Sequence, residues 1–93
     1  MSDFKLTLTS LPADAARTAA DILATYGGDF DADLGEFFSY VEGDTIEIIA
    51  KNVGKGDVKS LSDDLLDEYE TIFIRYAEFI NGGWFPVDEA DLS

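Results

Sequence analysis

Five acidic residues, Asp63, Asp64, Asp67, Glu68 and Glu70, crowd into one short stretch of the chain, and Asp29, Asp31, Asp33 and Glu36 form a second acidic run. Grouped carboxylates can hold a divalent cation, move protons, or stand where a partner expects phosphates. The 93-residue chain has no His and no Cys, which removes the usual general base, the commonest transition-metal ligand and any thiol nucleophile. The spacing Asp29, Asp31, Asp33 copies the first half of a calcium loop. Leu34 then stands where that loop needs Gly for its sharp turn, and Tyr40 where it needs a bidentate Glu. Gly54-Lys55-Gly56 places glycine beside lysine without the GxxxxGK[ST] spacing of a phosphate loop. No spacing in the chain defines a catalytic site, a metal site or a cofactor site, and the carboxylates on predicted solvent faces make poor general acids.

The element that must position the first acidic group is read as one long helix from Ser60 to Ile80, closed by Asn81-Gly82-Gly83. Leu61, Leu65, Tyr69, Ile72, Tyr76 and Ile80 recur at steps of three and four, as on the buried stripe of an amphipathic helix. Asp63, Asp67, Glu70 and Glu78 then fall on the opposite side, with Asp64 and Glu68 along one flank and Ile74 an exposed apolar residue between Glu70 and Glu78. Ser60 is the expected N-cap, with Asp63 three residues on. Asp63/Asp67 and Asp64/Glu68 are like-charge pairs at i,i+4, each costing a few tenths of a kcal/mol, so helix stability does not account for them.

Upstream, the alternation of Phe4-Lys5-Leu6-Thr7-Leu8-Thr9 predicts a half-buried strand over 3–10. Ser10 and Pro12 open a helix whose stripe is Ala15, Ala19, Ile22, Leu23 and Tyr26, capped by Gly27-Gly28. Residues 29–36 are expected as an acidic loop. Strands over 37–42 and 45–51 flank a Gly43-Asp44 turn, and 52–57 reads as a flexible loop. Trp84-Phe85-Pro86-Val87 is expected to fold back on the core, followed by a frayed acidic tail over 88–93. The expectation is a single α+β domain spanning 1–93, order β-α-β-β-α, with an antiparallel sheet of about three strands. The alternative, if 71–80 is a strand, is the ferredoxin-like order βαββαβ.

Charge is the outlying property. Twenty acids against six bases give a net charge of -14, while 46% apolar residues supply a core. Such a field repels nucleic acid and anionic membrane and speeds encounter with basic surfaces. Five acids between Asp63 and Glu70 on a helix would lie about 2.6 Å apart along the axis. Duplex DNA carries one charge per about 1.7 Å with both strands counted. In size and charge over the whole chain, the sequence resembles the small acidic phage-encoded inhibitors that imitate DNA, of the anti-CRISPR and antirestriction type. That resemblance implies a non-enzymatic inhibitor of a basic nucleic-acid-handling protein, acting in the cytoplasm, without cofactor, membrane or direct nucleic-acid contact. Asp63, Asp64, Asp67, Glu68, Glu70, Ile74 and Glu78, extended by Asp29, Asp31, Asp33 and Glu36, are the expected partner-binding residues. An immunity protein that blocks a basic nuclease toxin, and a small acidic housekeeping domain of a halophile, are the other classes that fit this charge.

Overall fold

A computed structural model of the chain describes residues 2–12, 14–33 and 37–92, with 26–33 and 37–40 described by their backbone path. The elements are β1 (Ser2–Thr9), α1 (Ala15–Asp33), β2 (Phe37–Glu42), β3 (Thr45–Val53), α2 (Lys55–Glu68), β4 (Phe73–Ile80) and β5 (Gly83–Val87), ending in a 3-10 turn at Glu89–Leu92. The strands form one antiparallel sheet in the order β2-β3-β1-β4-β5. β3 therefore lies between β1 and β2, which run parallel to each other, as in a split βαβ unit.

The class is α+β as expected, but the sheet has five strands rather than about three. The order is β-α-β-β-α-β-β, so the first six elements follow the βαββαβ order held as the alternative and β5 is added. The long helix over 60–80 is the main correction. α2 starts five residues earlier than expected, ends at Glu68, and is followed by a turn and then β4. No basic residue stands in its last turn to offset the carboxylates there. β4 instead pairs with β1 along Phe4↔Glu78 to Thr9↔Phe73, which satisfies the backbone of a β-branched and aromatic stretch. Asn81 and Gly82 do not close a helix. At φ 51° and 85° they form the left-handed pair of a two-residue hairpin joining β4 to β5.

One face of the sheet carries the core. Phe4, Leu6 and Leu8 of β1, Ile46, Ile48 and Ala50 of β3, and Tyr76 of β4 are buried, as period-two alternation requires. Ala15, Thr18, Ala19 and Ile22 of α1 and Val58, Leu61, Ser62 and Leu65 of α2 close over them at steps of three and four. Two buried polar side chains are satisfied: Thr18 Oγ1 donates to the Asp14 carbonyl at 2.9 Å, and the Ser62 hydroxyl is bonded to that of Tyr76. Burial pushes the Tyr76 hydroxyl above the ordinary tyrosine range, against the lowering effect of the Ser62 bond. Because the folded form keeps the proton longer than the unfolded chain, stability is undiminished below pH ~10 and falls as pH rises beyond it. Tyr76→Phe is expected to flatten that alkaline decline in melting temperature, while costing about 1–3 kcal/mol at neutral pH by leaving the Ser62 hydroxyl unpaired.

Carboxylates supply the local fastenings. The Asp14 side chain accepts the Arg17 N–H at 3.1 Å and caps α1, where Ser10 was expected to do so. Asp57 accepts the Gly54 N–H at 3.1 Å, and Gly54 rather than Ser60 is the N-cap of α2. Residues 52–57 are therefore no loop: Val53 is a buried strand residue, and the N–H of Asn52, held at φ 58°, donates to Asp3 at 2.8 Å. α1 runs through Gly27-Gly28, so Asp29, Asp31 and Asp33 occupy its last turns instead of an acidic loop. Within the stretch expected as a tail, Glu89–Leu92 forms the 3-10 turn, with Leu92 buried and the Asp91 carboxylate accepting the Asp88 N–H.

Candidate functional site: the acidic helical layer

Val58, Leu61, Ser62 and Leu65 fix the inward side of α2, so its outward side is set by geometry. Asp63 and Asp67 stand nearly opposite the buried stripe, with Asp64 and Glu68 on its flank, and all four are exposed. These four occupy a rise of about 7.5 Å along the axis. Asp64 and Asp67 meet no hydrogen-bonding or ionic partner among the described residues.

Lys59 is the basic residue placed among these acids, and it is already engaged. Its Nζ lies 2.6 Å from Asp63, one turn on, and 3.1 Å from Glu89 of the C-terminal turn. The bond to Asp63, then that to Glu89, raises the Lys59 pKa, so the ammonium stays charged over the whole neutral range. Through this bridge Glu89 joins the acidic side of α2.

At the other end of α2, Tyr69 occupies the C-cap position, and its N–H donates to the Leu65 carbonyl at 2.9 Å. Its ring is half-buried against the core. Burial first, then the charges of Glu68 and of Asp21 on α1, raise its hydroxyl pKa. The charge of Asp21, exposed on α1, thus acts on Tyr69 beside that of Glu68.

Three of the expected binding residues leave this surface because the long helix does not exist. Glu70 is exposed but sits in the turn after α2, beside Thr71, whose hydroxyl donates to the Ser10 carbonyl at 3.0 Å. Ile74 is not an exposed anchor among carboxylates. It lies in β4 and packs, partly buried, against the core. Glu78 pairs across from Phe4 and borders a depression with Lys55, at the opposite end of α2 from Glu68. Asp29, Asp31 and Asp33 lie in the last turns of α1, where the backbone path is helical and not the loop expected there. Glu36 lies outside the described residues. Among the described residues, no three carboxylates come together as metal ligands.

Sequence reasoning left Asp21 unassigned and read Glu89 as part of a frayed tail. Tyr69 was read as core, and its ring does pack against it. The link of Glu89 to Lys59 spans thirty residues of chain, for which the local pattern carries no signal.

The fold and this surface define a small α+β protein with a helical layer dominated by carboxylates. No protein-family model matches the chain, and comparison with curated proteins and with solved structures returns no match. Among the described residues no helix is long and apolar enough to cross a membrane.

Proposed function

We propose that the chain is a non-enzymatic inhibitor whose helical layer docks on the cationic surface of a nucleic-acid-handling protein, with carboxylates taking the places of phosphates. The observation that carries this reading is the outward face of α2, where Asp63, Asp64, Asp67 and Glu68 stand exposed and the nearby Lys59 is held by Asp63 and Glu89. Helix stability does not call for that row, since its i,i+4 pairs repel. A surface that keeps such pairs exposed is suited to meeting positive charge elsewhere. Tyr69, half-buried against the core next to Glu68 in the chain, supplies the aromatic contact that charge alone lacks and takes the anchoring place once expected of Ile74.

The test reverses charge without touching the Lys59 bridge. Tagged protein is incubated with bacterial lysates containing CRISPR effectors, restriction enzymes and other nucleases, and retained proteins are challenged with duplex DNA and with salt. A nucleic-acid enzyme held at low salt and displaced by DNA is expected. The Asp64→Lys, Asp67→Lys, Glu68→Lys triple variant should lose that partner by at least a hundredfold while melting at the same or a slightly higher temperature. A partner bound equally well by the triple variant rejects α2 as the interface.

A further inference from the structure

The sheet has a second face, and no described element covers it. Alternation places Lys5, Thr7 and Thr9 of β1 there, with Thr45, Glu47, Ile49 and Lys51 of β3, Phe73, Arg75, Ala77 and Phe79 of β4, and Trp84 and Pro86 of β5. None of these side chains is buried, and Phe73 and Phe79 are 69% and 42% exposed. Phe79 and Trp84 pair across β4 and β5 with ring centroids 5.2 Å apart, and the Lys5 Nζ lies 4.9 Å from the Trp84 ring centre. Lys5, Lys51 and Arg75 are half of the six basic residues of a chain with twenty acids, and among the described side chains Asp3, Glu42 and Glu47 balance them. The face is therefore close to neutral and rich in apolar surface, whereas the helical layer is strongly negative.

We propose that this face is covered by a second copy of the chain, giving a symmetric dimer with the two sheets packed face to face and both acidic helical layers outward. Charge complementarity selects the occupant. Register places Glu47 on β3 and Arg75 on β4 on either side of Thr7, one strand away in each direction. A two-fold axis running along β1 above Thr7 exchanges those two flanks, so Glu47 of each copy faces Arg75 of the other and Ile49 faces Ala77. Lys5 leans off that axis toward Trp84 of its own copy, away from its symmetry mate. The area is sufficient. Five strands at about 4.8 Å spacing and about 20 Å of paired length present roughly 500 Å² per copy, so the pair buries about 1,000 Å² or more, at the lower edge of specific interfaces. An approach through the helical layers would set like charges together, and among the described surfaces the sheet faces let two copies of so acidic a chain meet with the least of that repulsion. The inference is independent of the proposed inhibitory role, because it uses the opposite side of the molecule.

Sedimentation of the untagged protein over a range of concentrations tests it. A monomer–dimer equilibrium with Kd of about 1–100 µM is expected, tightening as salt rises from about 0.05 to 0.5 M because the net repulsion between copies is screened. Arg75→Glu should weaken the dimer at least tenfold by facing Glu47 with a second carboxylate, and the swap Glu47→Arg with Arg75→Glu should restore it. Where a variant fails to fold, Thr7→Cys in this cysteine-free chain gives a second reading: a short bis-maleimide should join two copies at the axis, and Asp64→Cys on the helical layer should not be joined. A wild-type protein that remains monomeric to about 1 mM overturns the dimer, as does an equilibrium insensitive to Arg75→Glu. Binding of a labelled single-stranded oligonucleotide by the monomer, weakening with salt and lost in Arg75→Glu, overturns it as well and gives the face to nucleic acid.

Discussion

Replacing Leu6 with alanine is expected to destabilise the domain by about 3–5 kcal/mol. Leu6 is fully buried at the middle of the central strand, with Ile48 across from it on one side and Tyr76 on the other. Both helices close over that layer, so the cavity left by three carbons and their hydrogens has rigid walls on every side and cannot collapse cheaply. A domain of this size holds roughly 5–15 kcal/mol in total, which leaves the variant close to unfolding at ordinary temperature. Chemical denaturation followed by tryptophan fluorescence reads the change, since Trp84 is the single indole. The neighbouring Thr7→Ala, on the uncovered face, should cost no more than about 1 kcal/mol. A Leu6→Ala cost as small as that of Thr7→Ala would contradict the central position of β1.

The second large effect is on salt dependence. A net charge of -14 is confined within a radius of gyration of 12.2 Å. The screening length is about 30 Å in 0.01 M salt, so the carboxylates repel one another across the whole molecule, and about 3 Å in 1 M salt, where only neighbours interact. Unfolding moves these charges apart, so the folded state gains as salt is added. Raising NaCl from 0.01 to 0.5 M should increase the melting temperature by about 10 °C, equivalent to about 2 kcal/mol. The curve should level off by about 0.5 M, with NaCl and KCl alike, because simple screening saturates. A melting temperature still climbing steeply at molar KCl would favour the acidic housekeeping domain of a halophile and count against an inhibitory surface.

The first three strands and the α+β class were legible because their signals are local. Phe4, Leu6 and Leu8 alternate with polar residues, and Gly43-Asp44 separates two β-rich runs, so register and facing follow directly. β4 was misread for a geometrical reason. Ile72, Tyr76 and Ile80 are four apart, and a step of four returns to the same side of a strand as well as to the same side of a helix. The deciding signals were the β-branched and aromatic content of 71–80 and the Asn81-Gly82 pair, which is a hairpin turn rather than a helix stop when apolar runs flank it on both sides. Within the acidic site, Asp63, Asp64, Asp67 and Glu68 were placed outward correctly because Leu61 and Leu65 fix the rotation of α2. Glu70, Ile74 and Glu78 were assigned to the same face only by extending that rotation past the helix's true end. Gly27-Gly28 misled in the opposite sense: glycines weaken a helix by about 1 kcal/mol each but do not terminate it unless the chain turns there.

Pro86 has a consequence for how the sheet ends. The two-residue turn at Asn81-Gly82 makes Ile80↔Gly83 and Glu78↔Phe85 the hydrogen-bonded pairs, so the backbone nitrogens of Trp84 and Pro86 face away from β4. An incoming strand would find an amide donor at Trp84 and none two residues further on. The edge thus keeps the outward carbonyls of Trp84 and Pro86 but a single donor, so strand addition is weakened at Pro86 and an apolar strand such as Trp84-Phe85-Pro86-Val87 can lie at the rim of the molecule with less tendency to seed fibres.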